Sequence, residues 1–439
     1  MPELLEYQPD AMIELSNDER KARSSWIKAG WQYYDGNMRK PLKVKQGQPD
    51  DNVLVNLVAK MVDQSVELLF GDMPEFQIDD SDETSPEEEA LAMLWTANRG
   101  PLLLNNLATN GALGGQCYVK LLPTEDQARP VRFVALKPEQ VTVFWRPDDL
   151  EQITAYMIYW SRGDNEYRED HVNMGSSWQV VNMTRKGARG WTITNDAIWP
   201  FPWSQVVDWQ NLPDPREYYG MPDLQNAALN DALNFVLSNT QRIIRYHAHP
   251  RTVGTGFNAA NLTAAADVEA LWTIPNPEAK VTNLEMQSDL ASSMAFSQAM
   301  QAQFWSEHRG FDMTSIKDRL GQLTNFGLRV LMGDALNKTG TKRELYGMGL
   351  EQINQRALEL MGYGPDNITR IVWPDMLPAN TIEAAQVQQL LLGMGVTSKS
   401  RAALALGLDW EQEQQRMEDE TTGDDNIGSR LLAAFERGQ

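Results

Sequence analysis

The chain has 439 residues, a formal net charge of −21, 42% hydrophobic residues and a mean hydropathy of −0.46. That length supports several hydrophobic cores, and the negative balance argues against a sequence-specific DNA binder, whose surface is normally basic. No apolar run reaches the roughly 20 residues needed to span a bilayer, residues 1–17 lack the regions of a signal peptide, and the single cysteine, Cys117, allows no intrachain disulfide and fits a reducing cytoplasm.

Residues 17–36 are predicted helical, with Asn17 as cap and Trp26, Ile27, Gly30, Trp31 and Tyr34 on the apolar face. A basic loop follows, Arg39 to Lys45. It reads either as a solvated loop or as a contact with DNA or with an acidic neighbouring subunit. Asp51 to Phe70 is predicted as a second helix, capped by Asp50 or Asp51 and stopped by Gly71. A short strand over 74–78 and an acidic linker, Asp79 to Glu89, come next. The linker leads into a helix carrying Leu91, Leu94 and Trp95. A further helix, Leu102 to Leu113, ends at Gly114-Gly115.

From about 115 to 210 the pattern is β-rich. Cys117–Leu122, Val131–Leu136, Val141–Trp145, Ile153–Trp160, Trp178–Met183, Trp191–Thr194 and Val206–Trp209 are strand candidates. Lys186 to Gly190 reads as a hairpin loop. The period then changes. A long helix runs from Pro222 to about Tyr246, and a Pro- and Gly-interrupted segment extends from His249 to about Glu285. A helix from Asp289 to about His308 precedes a break at Arg309–Asp312. More helix is predicted, with interruptions, from about Thr324 to Met361, then a strand over Ile368–Trp373. Helices follow over Thr381–Leu392, Lys399–Leu406 and Trp410–Glu420, with a small terminal one over Ile427–Arg437. The order helical, β-rich, helical predicts an α+β fold rather than a doubly wound sheet.

Catalytic signatures are absent from the sequence. There is no Gly-x-x-x-x-Gly-Lys-Ser/Thr loop, no Gly-x-Ser-x-Gly elbow and no His-Glu-x-x-His. His247 and His249 lack further ligands nearby in sequence. Asp79, Asp80, Asp82 and Glu83 do not have EF-hand spacing and read as a solvated linker. Nothing selects one carboxylate pair as a glycosidase site. Neither an enzymatic activity nor a cofactor or metal is expected.

The order of several segments is more specific. Asp51-Asn52-Val53 to Phe70-Gly71-Asp72-Met73-Pro74-Glu75-Phe76 resembles a portal motif in which an Asn-led helix ends in Gly-x-Pro and runs into a strand. Gly111 to Leu122, Leu136 to Phe144, Trp203 to Trp209 and Tyr219-Gly220-Met221-Pro222-Asp223-Leu224 are similar to later portal segments. Pro222 stands where the family often has serine, and it suits a first helical position. The closest resemblance is C-terminal: Leu323 to Leu328, Ile368 to Trp373, Thr381-Ile382-Glu383, Gly395 to Ser400, and Gly407 to Glu420. Each motif is weak alone; their order over about residues 50–420 resembles the SPP1-type portal proteins of tailed bacteriophages.

That resemblance implies a phage portal fold: a helical stem, a mixed α/β wing, a small clip and a C-terminal helical crown. It maps the wing to residues 1–221, one stem helix to 222–246, the clip to 247–288 and the other stem helix to 289–309. A tunnel loop would occupy 310–322, a long helix and wing strand 323–380, and the crown 381–439. It further implies a non-enzymatic homo-oligomer of twelve subunits at the capsid vertex, assembled in the host cytoplasm, with no membrane partner. Double-stranded DNA would pass without sequence specificity during packaging and ejection. Expected partners are the large terminase subunit, the major capsid protein, scaffold and a head–tail adaptor. In the tunnel loop, Gly310 and Gly321 would permit flexing, Lys317 and Arg319 would touch phosphates, and Asp312 and Asp318 would moderate the grip; ion pairs on a helix surface are the other reading of these charges. In the clip, Pro250, Arg251, Pro275 and Pro277 would form a docking surface for terminase or adaptor, or else a plain surface loop. The alternatives are a different phage head or adaptor protein and an acidic soluble hydrolase. An adaptor is shorter and lacks a helix–loop–helix stem; a hydrolase predicts a monomer or dimer with a deep polar pocket.

Overall fold

The computed structural model describes residues 9–47, 49–78, 85–146, 148–187, 189–248, 251–255, 280–284, 290–312, 325–377, 381–406, 410 and 413–416. The chain divides into two compact units, 1–374 and 375–439.

In the first unit, helix α1 (Pro9–Tyr34) starts eight residues before the predicted cap, so Asn17 lies inside it. Proline is favoured at a first helical position because its missing N–H would be unpaired there anyway. Helix α2 (Leu57–Phe70) starts six residues later than predicted. Its cap is Asn56, whose Oδ1 accepts from the Ala59 N–H at 3.0 Å. Strand β1 (Glu75–Gln77) follows. Helix α3 (Pro86–Ala97) takes in the end of the predicted acidic linker. Ser85 and Glu88 form a reciprocal capping box, and Glu87, Glu88 and Glu89 lie in the first turn, where the helix dipole favours negative charge. Leu91, Leu94 and Trp95 are buried, as their spacing predicts. Helix α4 (Gly100–Gly114) ends at Gly115 with φ of +74°, and a Cβ there would lie 2.2 Å from the Gly220 carbonyl oxygen.

Eight antiparallel strands come next: β2 (Gln116–Pro123), β3 (Val131–Ala135), β4 (Val141–Arg146), β5 (Asp149–Arg162), β6 (Asn165–Asn173), β7 (Trp178–Lys186), β8 (Thr192–Trp199) and β9 (Val206–Gln210). They form one sheet of order β3-β2-β9 and another of order β4-β5-β6-β7-β8. Strand β6 is the one that periodicity missed. Its centre, Arg168-Glu169-Asp170-His171, is charged and lacks the apolar alternation of a strand, yet all four residues are buried. Side chains two apart share a strand face. Arg168 therefore pairs with Asp170 (Nε to Oδ1, 2.8 Å), and Glu169 pairs with His171 (2.5 Å) and with Lys120 of β2. Burial opposes the ionisation of Glu169, but the hydrogen bond from His171 and the charges of His171 and Lys120 outweigh it and bring its pKa down to about 2.

Helix α5 (Ala228–Ala248), the antiparallel pair β10 (Arg251–Thr255) and β11 (Lys280–Leu284), and helix α6 (Leu290–Glu307) come next in sequence. Helix α7 (Asn325–Leu331) breaks at Met332 into the long helix α8 (Gly333–Leu360), and β12 (Arg370–Val372) pairs with β1. The largest core packs α2, α3 and α4 against β2, β9 and α8, around Leu69, Trp95, Leu107, Val119, Trp209 and Ile353. Gly349 of α8 lies on the Trp209 ring, where a Cβ would sit 2.3 Å from Cε3. Gly349→Ala is therefore expected to cost about 1–3 kcal/mol through overpacking, read as a lower midpoint in denaturant unfolding. In the second unit, helices α9 (Thr381–Gly393) and α10 (Lys399–Ala405) are joined by a turn with Gly395 at φ of +68°, and the Ser398 Oγ accepts from the Arg401 N–H.

Candidate functional site

The α5–α6 pair and the chain leaving α6 are held by a set of buried polar contacts. Three buried polar side chains recur every four residues along α5: Asn230, Asn234 and Ser238. They accept hydrogen bonds from alternate backbone amides of the extended segment before α2. Leu57 N–H donates to Asn230 Oδ1 (3.0 Å), Val55 N–H to Asn234 Oδ1 (2.8 Å) and Val53 N–H to Ser238 Oγ (2.9 Å). The two repeats match: two extended residues advance about 6.6 Å and four helical residues about 6 Å. The ladder continues to Asp51, which is buried and accepts from Arg245 at 2.6 Å and Arg242 at 3.5 Å. This docking replaces the first turns of the helix predicted from Asp51. The amides that would have opened that helix are taken by side chains of α5.

Helix α6 packs on α5 through Met300 and Phe304, with Leu233 and Leu237 opposite. It ends in a Schellman turn: Gly310 N–H donates to the Trp305 carbonyl (2.9 Å) and Arg309 N–H to the Ser306 carbonyl (3.2 Å). Arg309 holds the left-handed conformation, φ of +50°, where glycine is usual. Arg309→Gly is expected to stabilise the protein by on the order of 1 kcal/mol, seen as a higher unfolding temperature. Gly310 serves close packing: a Cβ there would lie 2.7 Å from Trp305 Cε3. The next residues are held as well. The Gln64 side chain bonds both backbone groups of Phe311 (3.0 and 3.1 Å), and Gln301 Nε2 donates to Asp312 Oδ2 (2.9 Å).

Beneath this turn lies a buried charge cluster that sequence reasoning missed. Asp223 accepts from Lys342 Nζ at 2.9 Å, and both side chains are fully buried. Lys342 also reaches Ser65 Oγ (3.1 Å); Lys338 lies 4.0 Å from Asp223 and donates to the His308 carbonyl at 2.9 Å. Burial opposes the ionisation of Asp223, but the charges of Lys338 and Lys342 and hydrogen bonds from Ser65 and Lys342 hold its carboxyl far below the usual carboxylate range. Burial also pushes the Lys338 ammonium and the His308 imidazole below their ordinary values. Residues 222–227 are non-helical, so Pro222 does not open α5. Asp223 instead turns inward, its N–H donating to the Ala112 carbonyl at 2.8 Å. A carboxylate and two lysines scattered over 120 residues of sequence give no local signal.

Of the predicted site residues, Gly310 and Asp312 lie in the chain just after α6 and Arg251 at the start of β10. Pro250, Pro275, Pro277, Lys317, Asp318, Arg319 and Gly321 lie outside the described residues, as do Asp79, Asp80, Asp82, Glu83 and His249. Among the described residues no three His, Cys, Asp or Glu side chains gather as a metal site, and no helix is long and apolar enough to cross a membrane. Cys117 is fully buried in β2, within 3.2 Å of the Leu107 carbonyl and the Tyr346 hydroxyl, and burial pushes its thiol up to about 12.

No curated protein matches the chain. Solved structures do. One is a chain from the neck of an empty GTA particle computed with C6 symmetry, 13% identical, covering 80% of this chain and 90% of that one, with a TM-score of 0.46. Another, from the virion of the native gene transfer agent particle, is 13% identical, covers 87% and 93%, and has a TM-score of 0.47. A third, from the neck of the native particle computed with C12 symmetry, is 14% identical, covers 80% and 90%, and has a TM-score of 0.44. The family model described as "Phage portal protein, SPP1 Gp6-like" matches residues 14–426. With nearly its whole length matched, the segment order noted in the sequence has its explanation: the chain belongs to the SPP1 Gp6-like family of phage portal proteins.

Proposed function

We propose that this portal protein forms a ring of twelve subunits at the capsid vertex, with an axial channel through which double-stranded DNA is packaged and ejected. The α5–α6 pair carries the reading. One face of α5 is bonded to the 51–57 segment, and α5 and α6 pack on each other, yet Phe235, Ile244, Met294 and Phe296 remain 45% to 58% exposed. Apolar faces of that extent call for neighbours, and further copies of the pair supply them. Helix α6 carries one charged side chain, Glu307, in eighteen residues. A wall without cations gains no free energy by displacing phosphate counterions, so a duplex slides along it. In this reading α5 and α6 are the stem and the 247–288 segment between them is the clip. Residues 310–322 form the tunnel loop, 1–221 the wing, 323–380 the long helix and wing strand, and 381–439 the crown. The clip receives the large terminase subunit and later the head–tail adaptor; the wing and crown meet the major capsid protein and scaffold. Packaging work comes from the terminase, since this sequence has no nucleotide-binding loop.

Native mass measurement and negative-stain images test the ring. A particle of several hundred kilodaltons with an axial hole is expected, and a compact single-copy molecule would overturn it. Charge reversal at Lys317 and Arg319 is expected to alter packaging rate or DNA retention. Unchanged values for both would remove those residues from the DNA contact.

A further inference from the structure

The basic loop after α1 and an acidic cleft elsewhere in the first unit each carry an excess of one charge within one subunit. Arg39, Lys40, Lys43 and Lys45 are exposed on a chain whose net charge is −21. Lys40 is paired with Asp50 at 2.5 Å. Lys43 and Lys45 have no ion-pair partner among the described residues. They flank Val44, which is 43% exposed. The loop is not loosely held. Leu42 exchanges two hydrogen bonds with the Asn52 side chain (2.8 and 3.0 Å), beside the Asp51 contact to α5. A tethered Lys-Val-Lys segment, with all three side chains exposed, is therefore presented outward.

The cleft, about 560 Å³ in volume, is formed by β9, the 214–218 segment, the start of β5 and α8. Its lining includes Glu151, Asp208, Asp214 and Glu217 against one cation, Arg356, and includes no residue of the basic loop. Two of these acids are committed. Asp208 accepts from Tyr156 (2.7 Å), Tyr218 (2.6 Å) and Gln116 (2.8 Å), and Asp214 pairs with Arg216 (3.1 Å). Arg356 is spent on the Ser204 and Val206 carbonyls (3.0 and 3.1 Å). What remains is two exposed carboxylates, Glu151 and Glu217, the latter with the exposed Arg216 beside it, around an apolar strip of Leu150, Ile153 and Pro215. Leu150 is 40% exposed.

We propose that the Lys43-Val44-Lys45 loop of one copy docks in the Glu151–Glu217 cleft of a second copy of this chain. The inference rests on the ring reading and names a contact that would hold neighbouring subunits together. Two cations and an apolar residue meet two anions and an apolar strip, so charge and polarity are complementary in both parts. Complementary charges of this kind select and orient a partner more than they add raw affinity. Repeated around a ring, the contact fixes which face meets which.

The test uses the full chain in three arms. In the first, Val44→Cys protein is mixed with Leu150→Cys protein and treated with a short bismaleimide; buried Cys117 does not compete. Cross-linked dimers that need both variants are expected, and their absence in intact rings would overturn the docking. In the second, the Lys43→Glu/Lys45→Glu variant is expected to give about 100-fold fewer rings through like-charge contact. Adding Glu151→Lys/Glu217→Lys to the same chain is expected to restore them. Unchanged ring yield, or loss without restoration, would overturn it. In the third, binding of a fluorescent duplex is measured with the Lys43→Glu/Lys45→Glu rings. Normal ring yield with lost duplex binding would assign the loop to DNA and overturn the subunit contact. A wild-type protein that forms no ring would sink the functional reading itself, whereas wild-type rings with failed cross-linking would sink only this contact.

Discussion

Asp223→Ala is expected to destabilise the protein by about 3–5 kcal/mol, the usual consequence of removing one member of a buried ion pair. The loss is large because Lys342 and Lys338, both almost wholly buried, would then face each other without a counter-charge. A drop in the denaturant midpoint measures it. Lys338→Met and Lys342→Met together in the Asp223→Leu background are expected to recover much of the loss, since a buried ionic cluster replaced by apolar groups of similar volume is often near neutral. The pH dependence has a definite sign. The folded-state pKa of Asp223 lies below its ordinary value of 3.8, so its contribution is present above that value and is lost as pH falls below it. Asp223→Ala should therefore flatten the acid limb of the stability profile. Because Lys338 holds the His308 carbonyl, amide exchange at Arg309 and Gly310 should also rise in this variant.

The combined variant Asn230→Ala/Asn234→Ala/Ser238→Ala is expected to release α5 from the 51–57 segment. Each substitution leaves a backbone N–H without its acceptor, at about 1–3 kcal/mol for each group that stays buried. The three act on one ladder, so their sum is not additive. The core of α2, α4, the β2 sheet and α8 does not include these residues and is expected to remain folded. Hydrogen exchange separates the two outcomes. The Val53, Val55 and Leu57 amides should lose protection while those of β2 and β9 keep it. Protection unchanged at the three amides would mean that other acceptors hold the segment.

Much of the framework was readable before the structure. The strands of β2, β4, β5, β7 and β9 and the helices α3, α4 and α6 follow from periodicity and from glycine and proline placement. What failed has a common cause. The segment 51–56 carries apolar residues at helical spacing, but its amides bond to α5, some 180 residues later in the chain. Strand β6 carries charges that only its neighbours neutralise. Asp223 looks like part of a helix start until two lysines of α8 are brought to it. Local pattern reports which side chains seek burial; it does not report which polar groups will find partners across the fold.

By itself the amino-acid sequence determined the order of helical and β-rich segments, the absence of nucleotide and hydrolase motifs, and the likeness to portal proteins over most of its length, because these depend on neighbours within a few residues. The tertiary structure decided where α2 and α5 begin, how β6 is buried, and that the chain leaving α6 is held by Gln64, Gln301 and Lys338. Those outcomes depend on hydrogen bonds and charges between residues far apart in the chain. An unpaired buried polar group costs as much as several favourable local contacts return, so the long-range pairing takes precedence over local propensity.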